Sequence, residues 1–474
     1  MNLDITMKKS RMNYCNFINN KTLTIALGLG SILSAQAKTN EPNIIFYLVD
    51  DLGIGDLGCY GQEVLKTPAI DALAKNGLLF TNHYSGSTVS APSRCVLLTG
   101  KHTGNAFIRG NYDKKAADGL SYTVDMPDSE VTIAEILKEK SYKTACFGKW
   151  GLGSPDGEGH PNEQGFDQFF GYLSQLNAHS YYPNHLFNNK EKVMLNKEVY
   201  SHDLIMDKAV SYIKDNAGSP FFIYMTPTLP HAELIVPEKD LAPFKGQFDE
   251  KPFKGGHYCK QDYPKATYAA MVKKMDDGIA RIVDALKENG IYDNTIIVFS
   301  SDNGSHSEGG YKPEYFNSNG IYRGYKRDLY DGGIRTPMII QWPEKIKAGR
   351  TTNVLSAFWD FLPTFADAAN IKTNTPTDGI SLLPTLLGKK KQKQHNALYF
   401  EFHEGGGKQA VIKDNWKLIR LNVNKKDQMS YELYDLKKDP SEVNNLASSE
   451  TKKVKELMTI MDNTRSINPI YNFK

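Results

Sequence analysis

The sequence predicts an α/β fold: a large, mostly parallel sheet sandwiched by helices, with a smaller C-terminal antiparallel sheet plus helix. Three observations predict it. Apolar, β-branched runs alternate with segments of helical periodicity, the pattern of a parallel sheet covered on both faces. Two of those runs end in polar clusters, Asp50-Asp51-Leu52-Gly53 and Ser301-Asp302-Asn303-Gly304, at the strand ends where such sheets bind ligands. Beyond about residue 390 the runs become short and closely spaced, as in antiparallel sheets.

The elements follow in order. Lys8, Lys9, Arg11 and Lys21 precede the apolar stretch Leu23 to Leu33, and Ala35-Gln36-Ala37 is a small-residue cleavage site. Residues 1–37 therefore read as a signal peptide cut after Ala37, which implies a periplasmic protein. Cys15 lies before the apolar core and is not placed to become a lipid anchor. The apolar run is shorter than a membrane span needs, so no stable membrane anchor is expected. Residues 1–37 carry four basic side chains and one acid, Asp4, against a net charge of +3 for the whole chain, so the remainder is close to neutral. Bulk charge thus gives no sign of nucleic-acid binding.

Strands are expected at Asn43–Val49, Leu78–His83, Lys143–Gly148, Pro220–Thr226, Thr295–Ser300 and Pro337–Trp342. Helices are expected at Ala69–Lys75, Thr132–Lys138, His202–Lys214, Tyr268–Glu288 and Trp359–Ala369. In the fourth helix Met271, Met275, Ile279, Ile282 and Leu286 recur at helical spacing and form a core stripe. Lys389-Lys390-Lys391, beside Lys393, reads as a solvated linker between a first domain, 38–390, and a C-terminal α+β subdomain, 391–474. That subdomain is expected to hold strands at Leu398–His403, Ala410–Ile412, Trp416–Leu418 and Glu432–Asp435, and a helix at Thr451–Ile460. Cys59, Cys95, Cys146 and Cys259 fit no metal framework and are expected to be unpaired buried thiols.

Ser90-Ala91-Pro92-Ser93-Arg94 is the most informative stretch. It precedes the apolar run Cys95-Val96-Leu97-Leu98 and opens a helix. Backbone N–H groups and the helix dipole favour an anion there, and Pro92 suits a first helical turn. Taken alone, it also fits an ordinary capped helix start. Likewise, the Asp and Asn clusters alone fit strand-ending turns.

The string resembles the sulfatase signature, in which the first residue is oxidised to formylglycine. The resemblance covers most of the chain, and its fold is alkaline phosphatase-like. It implies one calcium ion held by Asp50, Asp51, Asp302, Asn303 and the modified Ser90, an all-oxygen set suited to a hard cation. Gly148-Lys149-Trp150, Pro230-His231 and Gly324-Tyr325-Lys326 match the family's anion-binding segments. They imply Lys149 and Lys326 as sulfate ligands and His231 as the acid for the departing alcohol, with Arg94 supporting the nucleophile. Asp378 to Pro384 resembles the segment closing the N-terminal domain. A serine at position 90 implies maturation by an oxygen-independent radical enzyme before export.

One departure stands out. The family has His two residues after Lys149, where this chain has Gly151. His179 is the candidate substitute. The expected substrate is a sulfated glycan or oligosaccharide, with His102, Asn105, Arg109, Tyr181, Tyr182, Tyr322 and Arg323 as candidate pocket residues. His403 and Glu404, beside Gly405-Gly406-Gly407, are further candidates, although a Gly-rich tip reads better as a plain surface turn. Two alternatives stay open: a phosphoester hydrolase of the same superfamily with Ser90 unmodified, and a non-catalytic sulfoglycan-binding protein, suggested by Gly151.

Overall fold

The apolar runs become the interior of one ten-stranded sheet. The computed structural model describes residues 41–116 and 119–473. The expected leader 1–37, with its expected cleavage after Ala37, lies outside the described residues. From one edge the strand order is Arg350–Thr352, Leu78–Phe80, Met338–Gln341, Thr295–Ser301, Asn43–Val49, Phe221–Thr226, Lys143–Lys149, Gln168–Tyr172, His185–Asn188 and Glu191–Met194. The five strands from Thr295–Ser301 to Gln168–Tyr172 run parallel, and antiparallel pairings flank them on both sides.

Both faces of the sheet are covered. Along the central strand Ile44, Phe46 and Leu48 enter one core, while Ile45, Tyr47 and Val49 enter the other, as the two-residue period of a strand dictates. Helices Ser90–Thr99, Ile133–Lys138 and Phe361–Ala368 cover the first face. Pro68–Lys75, Ser201–Asp215 and Pro264–Glu288 cover the second, the last burying the Met271-to-Leu286 stripe. Thr132 caps its helix, accepting from Glu135 N while the Glu135 carboxylate accepts from Thr132 N.

Several expected elements are corrected. Leu78–His83 is not one strand: Leu78–Phe80 pairs in the large sheet, and His83–Tyr84 pairs separately with Ser356–Ala357. Met338–Gln341 runs antiparallel to both neighbours. Gln168–Tyr172, the hairpin of His185–Asn188 and Glu191–Met194, and Arg350–Thr352 add strands the apolar pattern did not reveal. The cysteines form no disulfide among the described residues. Cys95 and Cys146 are buried, but Cys59 is only partly buried and Cys259 is exposed.

The C-terminal sheet comprises Leu398–Phe402, Lys408–Lys413, Trp416–Leu421 and Ser430–Asp435. One face packs Val411, Leu418 and Leu433 on Leu457 and Met461 of the helix Thr451–Thr464. The other sends Phe400, Phe402, Ile412 and Ile419 into the main core. The described residues accordingly form one compact unit, with exposed Lys389, Lys390, Lys391 and Lys393 ahead of the C-terminal sheet.

Buried ion pairs fasten this junction. Glu401 accepts from Arg465 at 2.9 Å and Arg109 at 3.3 Å, and pairs with the His403 ring at 2.9 Å. Burial alone would raise the Glu401 carboxyl, but hydrogen bonds from His403 and Arg465 and the charges of Arg109 and Arg465 outweigh it and hold it at about 2. The folded value is depressed, so the stabilisation is fully present above the ordinary value of 4.5 and is lost as pH falls towards about 2. It amounts to about 3 kcal/mol at neutral pH. Glu401→Gln should lower unfolding free energy by about that amount at pH 7 and flatten the acid limb, which urea denaturation across pH 2–7 measures. An unchanged acid limb would refute the assignment.

Candidate active site

Neighbouring parallel strands deliver the site's residues at their carboxyl ends. Asn43–Val49 leads into Asp50 and Asp51, Thr295–Ser301 into Asp302 and Asn303, and Lys143–Lys149 ends on Lys149. His231 lies in the loop after Phe221–Thr226. Asp51 takes a left-handed conformation, φ 63°, unusual for a non-glycine residue and found where a site is held against local preference.

Ser90 is the first residue of the helix Ser90–Thr99, with Val89 extended before it. Its Oγ donates to Asp50 Oδ1 at 3.0 Å and accepts from Lys149 Nζ at 3.2 Å. Lys149 also reaches Asp50 Oδ2 at 2.7 Å. Across the site, Lys326 Nζ donates to Asp51 Oδ2 at 2.7 Å and lies 3.0 Å from His231 Nε2. His231 Nε2 is also 3.3 Å from Asp51 Oδ2, and its Nδ1 faces the Ala232 carbonyl. Burial, and then the Lys326 charge, push His231 well below its usual value.

Arg94 differs from the role its motif implies. Its guanidinium is fully buried, with NH2 2.8 Å from Asp302 Oδ2 and NH1 2.8 Å from the Lys149 carbonyl. It orients Asp302 and the end of the Lys149 strand, so it is a positioning residue here. Ser93 has a similar task, donating to the Asp302 carbonyl at 2.5 Å.

Asp50, Asp51, Asp302 and Asn303 converge as a hard-oxygen donor set. Asn303 Nδ2 donates to Asp51 Oδ1 at 2.7 Å, leaving Asn303 Oδ1 buried without a hydrogen-bond partner. A buried amide oxygen without a donor costs free energy unless something positive meets it. Burial and the charges of Asp50 and Asp51 raise the Asp302 carboxyl to about 6. These residues thus fit an oxygen-coordinated divalent cation.

At Gly151, an added Cβ would lie 2.0 Å from the Gln175 amide nitrogen, and the backbone φ is 73°. The Gln175 side chain therefore occupies the space a larger residue would enter. His179 stacks on His231 with ring centroids 4.7 Å apart, and burial followed by the two lysine charges lowers it to about 3. It stands beside the candidate acid.

Other expected pocket residues are corrected. His102 and Asn105 contact Asp378, and Arg109 is spent on Glu401 and Ser466. Arg323 donates to Tyr434 and the Glu442 carbonyl and lies over the Tyr330 ring. These four fasten the C-terminal sheet and its neighbouring segments. Tyr181 is fully buried, its hydroxyl held by the Thr228 and His231 carbonyls. Tyr182 packs on Tyr200, and Tyr322 stacks under Arg335. The structure adds Glu308, which no motif singled out. It meets Lys326 at 3.2 Å, Arg327 at 2.7 Å and the Tyr258 hydroxyl at 3.0 Å.

An alkaline-phosphatase-like hydrolase of anionic esters is the class that this fold and site define. Within that class the chain belongs to the sulfatase family, whose model matches residues 42–371. A second model, for the C-terminal part of N-sulphoglucosamine sulphohydrolase, matches residues 320–466. The protein is a sulfuric ester hydrolase. N-acetylgalactosamine-6-O-sulfatase of Bacteroides thetaiotaomicron is 30% identical over 517 aligned positions, covering 90% of this chain and 94% of that one. Human N-acetylgalactosamine-6-sulfatase is 31% identical over 384 positions, covering 75% and 67%. Among solved structures, Ps i-CgsB in complex with k-i-k-neocarrahexaose superposes with a TM-score of 0.77 at 28% identity, covering 92% of this chain and 95% of that one.

Proposed function

We propose that the protein removes O-sulfate from a carbohydrate, using a formylglycine made from Ser90 and one bound calcium ion. The observation that carries this is the position of Ser90 Oγ between Asp50 and Lys149, 3.0 and 3.2 Å away, at a buried helix start. The names of the relatives support the carbohydrate.

Asp50, Asp51, Asp302, Asn303 and residue 90 would hold the calcium. When bound, it supplies positive charge to the nucleophilic oxygen and the sulfate oxygens. A formylglycine hydrate supplies two hydroxyls on one carbon, one to displace the alcohol from sulfur and one to release sulfate by C–O cleavage. Lys149 and Lys326 place fixed ammonium groups against the sulfate. His231 Nε2 points to the same space and protonates the leaving oxygen; the arriving anion favours its charged form. The leader and the serine at position 90 support maturation by a radical enzyme, then export to the periplasm.

Removing the cation tests the metal reading. Chelation of the matured enzyme should abolish aryl sulfate turnover and lower the melting temperature, because a ligand bound only by the folded state stabilises it. Calcium should restore both. Full activity after chelation would refute the reading, and stoichiometric zinc in active protein would favour the phosphoesterase.

A further inference from the structure

We propose that Glu308 is a positioning residue for Lys326, holding that ammonium group against the sulfate while the chemistry proceeds. The proposal rests on the reading of Lys326 as a sulfate ligand given above.

Lys326 is a flexible side chain that must keep one place. Its backbone is tied independently of Glu308: Lys326 N donates to the Ser305 carbonyl at 2.9 Å, and Arg327 N to the Thr88 carbonyl at 3.1 Å. Those bonds fix the main chain and leave the long aliphatic stem free to rotate. The place of Nζ is therefore set by the partners of its own N–H groups. They meet Asp51 Oδ2 at 2.7 Å, His231 Nε2 at 3.0 Å and Glu308 Oε2 at 3.2 Å. Asp51 belongs to the oxygen set that would hold the cation. Glu308 is the carboxylate against Lys326 that lies outside that set.

Glu308 is itself held from three directions. Arg327 NH1 donates to its Oε1 at 2.7 Å, and the Tyr258 hydroxyl donates to its Oε2 at 3.0 Å. Its backbone N–H donates to His306 Nδ1 at 3.1 Å, and His306 Nε2 faces the Pro230 carbonyl at 3.2 Å. The buried His306 ring thus ties the Glu308 segment to the loop that presents His231. Asp51, His306 and Glu308 are close enough together to hold an ion. Both ring nitrogens of His306 are already engaged, however, and the cation between Asp51 and Glu308 is the Lys326 ammonium.

The sign of the charge argues for positioning rather than binding. A carboxylate at this place repels an arriving sulfate. It aids the reaction only by keeping Lys326 in the geometry that the transition state needs.

The test is a double-mutant cycle on matured enzyme, read as kcat and KM on an aryl sulfate. Lys326→Met should lower kcat/KM by about 10²–10³-fold, the loss for one donor to a developing anion. Glu308→Gln should lower kcat by roughly 10–10²-fold, the cost of a misplaced group, with KM unchanged or lower because a negative charge has gone. In the double variant Glu308→Gln should add less than about twofold to the Lys326→Met loss, because the group it positions is already absent. Tyr258→Phe carries the test if Glu308→Gln does not fold. It should lower kcat by about threefold to tenfold, the worth of one hydrogen bond, and that loss too should vanish beside Lys326→Met. Wild-type kcat in Glu308→Gln or Tyr258→Phe would overturn the proposal. So would losses that multiply in the double variant, since Glu308 would then act by itself. A raised KM with unchanged kcat would also overturn it, marking Glu308 as a substrate contact. Wild-type turnover by Lys326→Met would defeat the reading of Lys326 as a sulfate ligand, and the role of Glu308 with it.

Discussion

Ser90→Ala should lower sulfate release by about 10⁴-fold or more, the order of loss when a catalytic nucleophile is removed. The substitution deletes the one oxygen placed between Asp50 and Lys149. It leaves the Arg94–Asp302 ion pair and the buried helix Ser90–Thr99 in place, so a thermal melt should change little. Alanine also offers no oxygen to be oxidised, which removes the modification and the nucleophile together. Sulfate release from an aryl sulfate, followed beside the melt, separates loss of chemistry from loss of fold. Residual activity within tenfold of wild type would mean that the oxygen at position 90 is not the nucleophile.

His231→Ala should divide substrates by leaving group. His231 Nε2 lies 3.0 Å from Lys326 Nζ and 3.3 Å from Asp51, within the buried cluster proposed to receive the sulfate, and its Nδ1 is occupied by the Ala232 carbonyl. Only Nε2 is left to deliver a proton. A sugar alcohol leaves poorly without one, whereas an activated aryl alcohol leaves as the anion. Sugar sulfates should therefore lose roughly 10²–10⁴-fold in rate, the range for general acid catalysis, and the aryl sulfate far less. Equal losses would make His231 a sulfate-positioning residue. His179, stacked on it at 4.7 Å, would be tested next by the same comparison.

The parallel centre of the fold was legible because its strands are buried on both faces and read as unbroken apolar runs; Asn43–Val49 has the bounds the sequence suggests. The strands that escaped notice lack that signature. Arg350–Thr352 is a three-residue polar edge, and Glu191–Met194 is mostly exposed. Leu78–His83 looked continuous because the break at Thr81-Asn82, where the chain changes sheets, carries no glycine or proline. The resemblance to sulfatase motifs led to Asp50, Asp51, Ser90, Lys149, Asp302 and Lys326, and the fold brings them into one cluster. It did not lead to Glu308, whose partners are set by the fold of the 303–328 loop.

The surrounding pocket was harder to read for an electrostatic reason. A polar side chain that will be neutralised inside the protein looks, in sequence, like one waiting for a ligand. Arg109 finds Glu401 292 residues away, and Asn105 finds Asp378 273 residues away. Arg323 reaches the Glu442 carbonyl 119 residues on. Gly151 illustrates the converse: the space beside it is filled by Gln175, from a separate loop.

The mass of the peptide carrying residue 90 tests the central claim most directly, measured on protein produced with a serine-type maturing enzyme and compared with protein produced without it. The account predicts a residue two hydrogens lighter than serine in the first preparation, together with sulfate release that the second lacks. Full turnover by protein whose residue 90 is unmodified serine would contradict it.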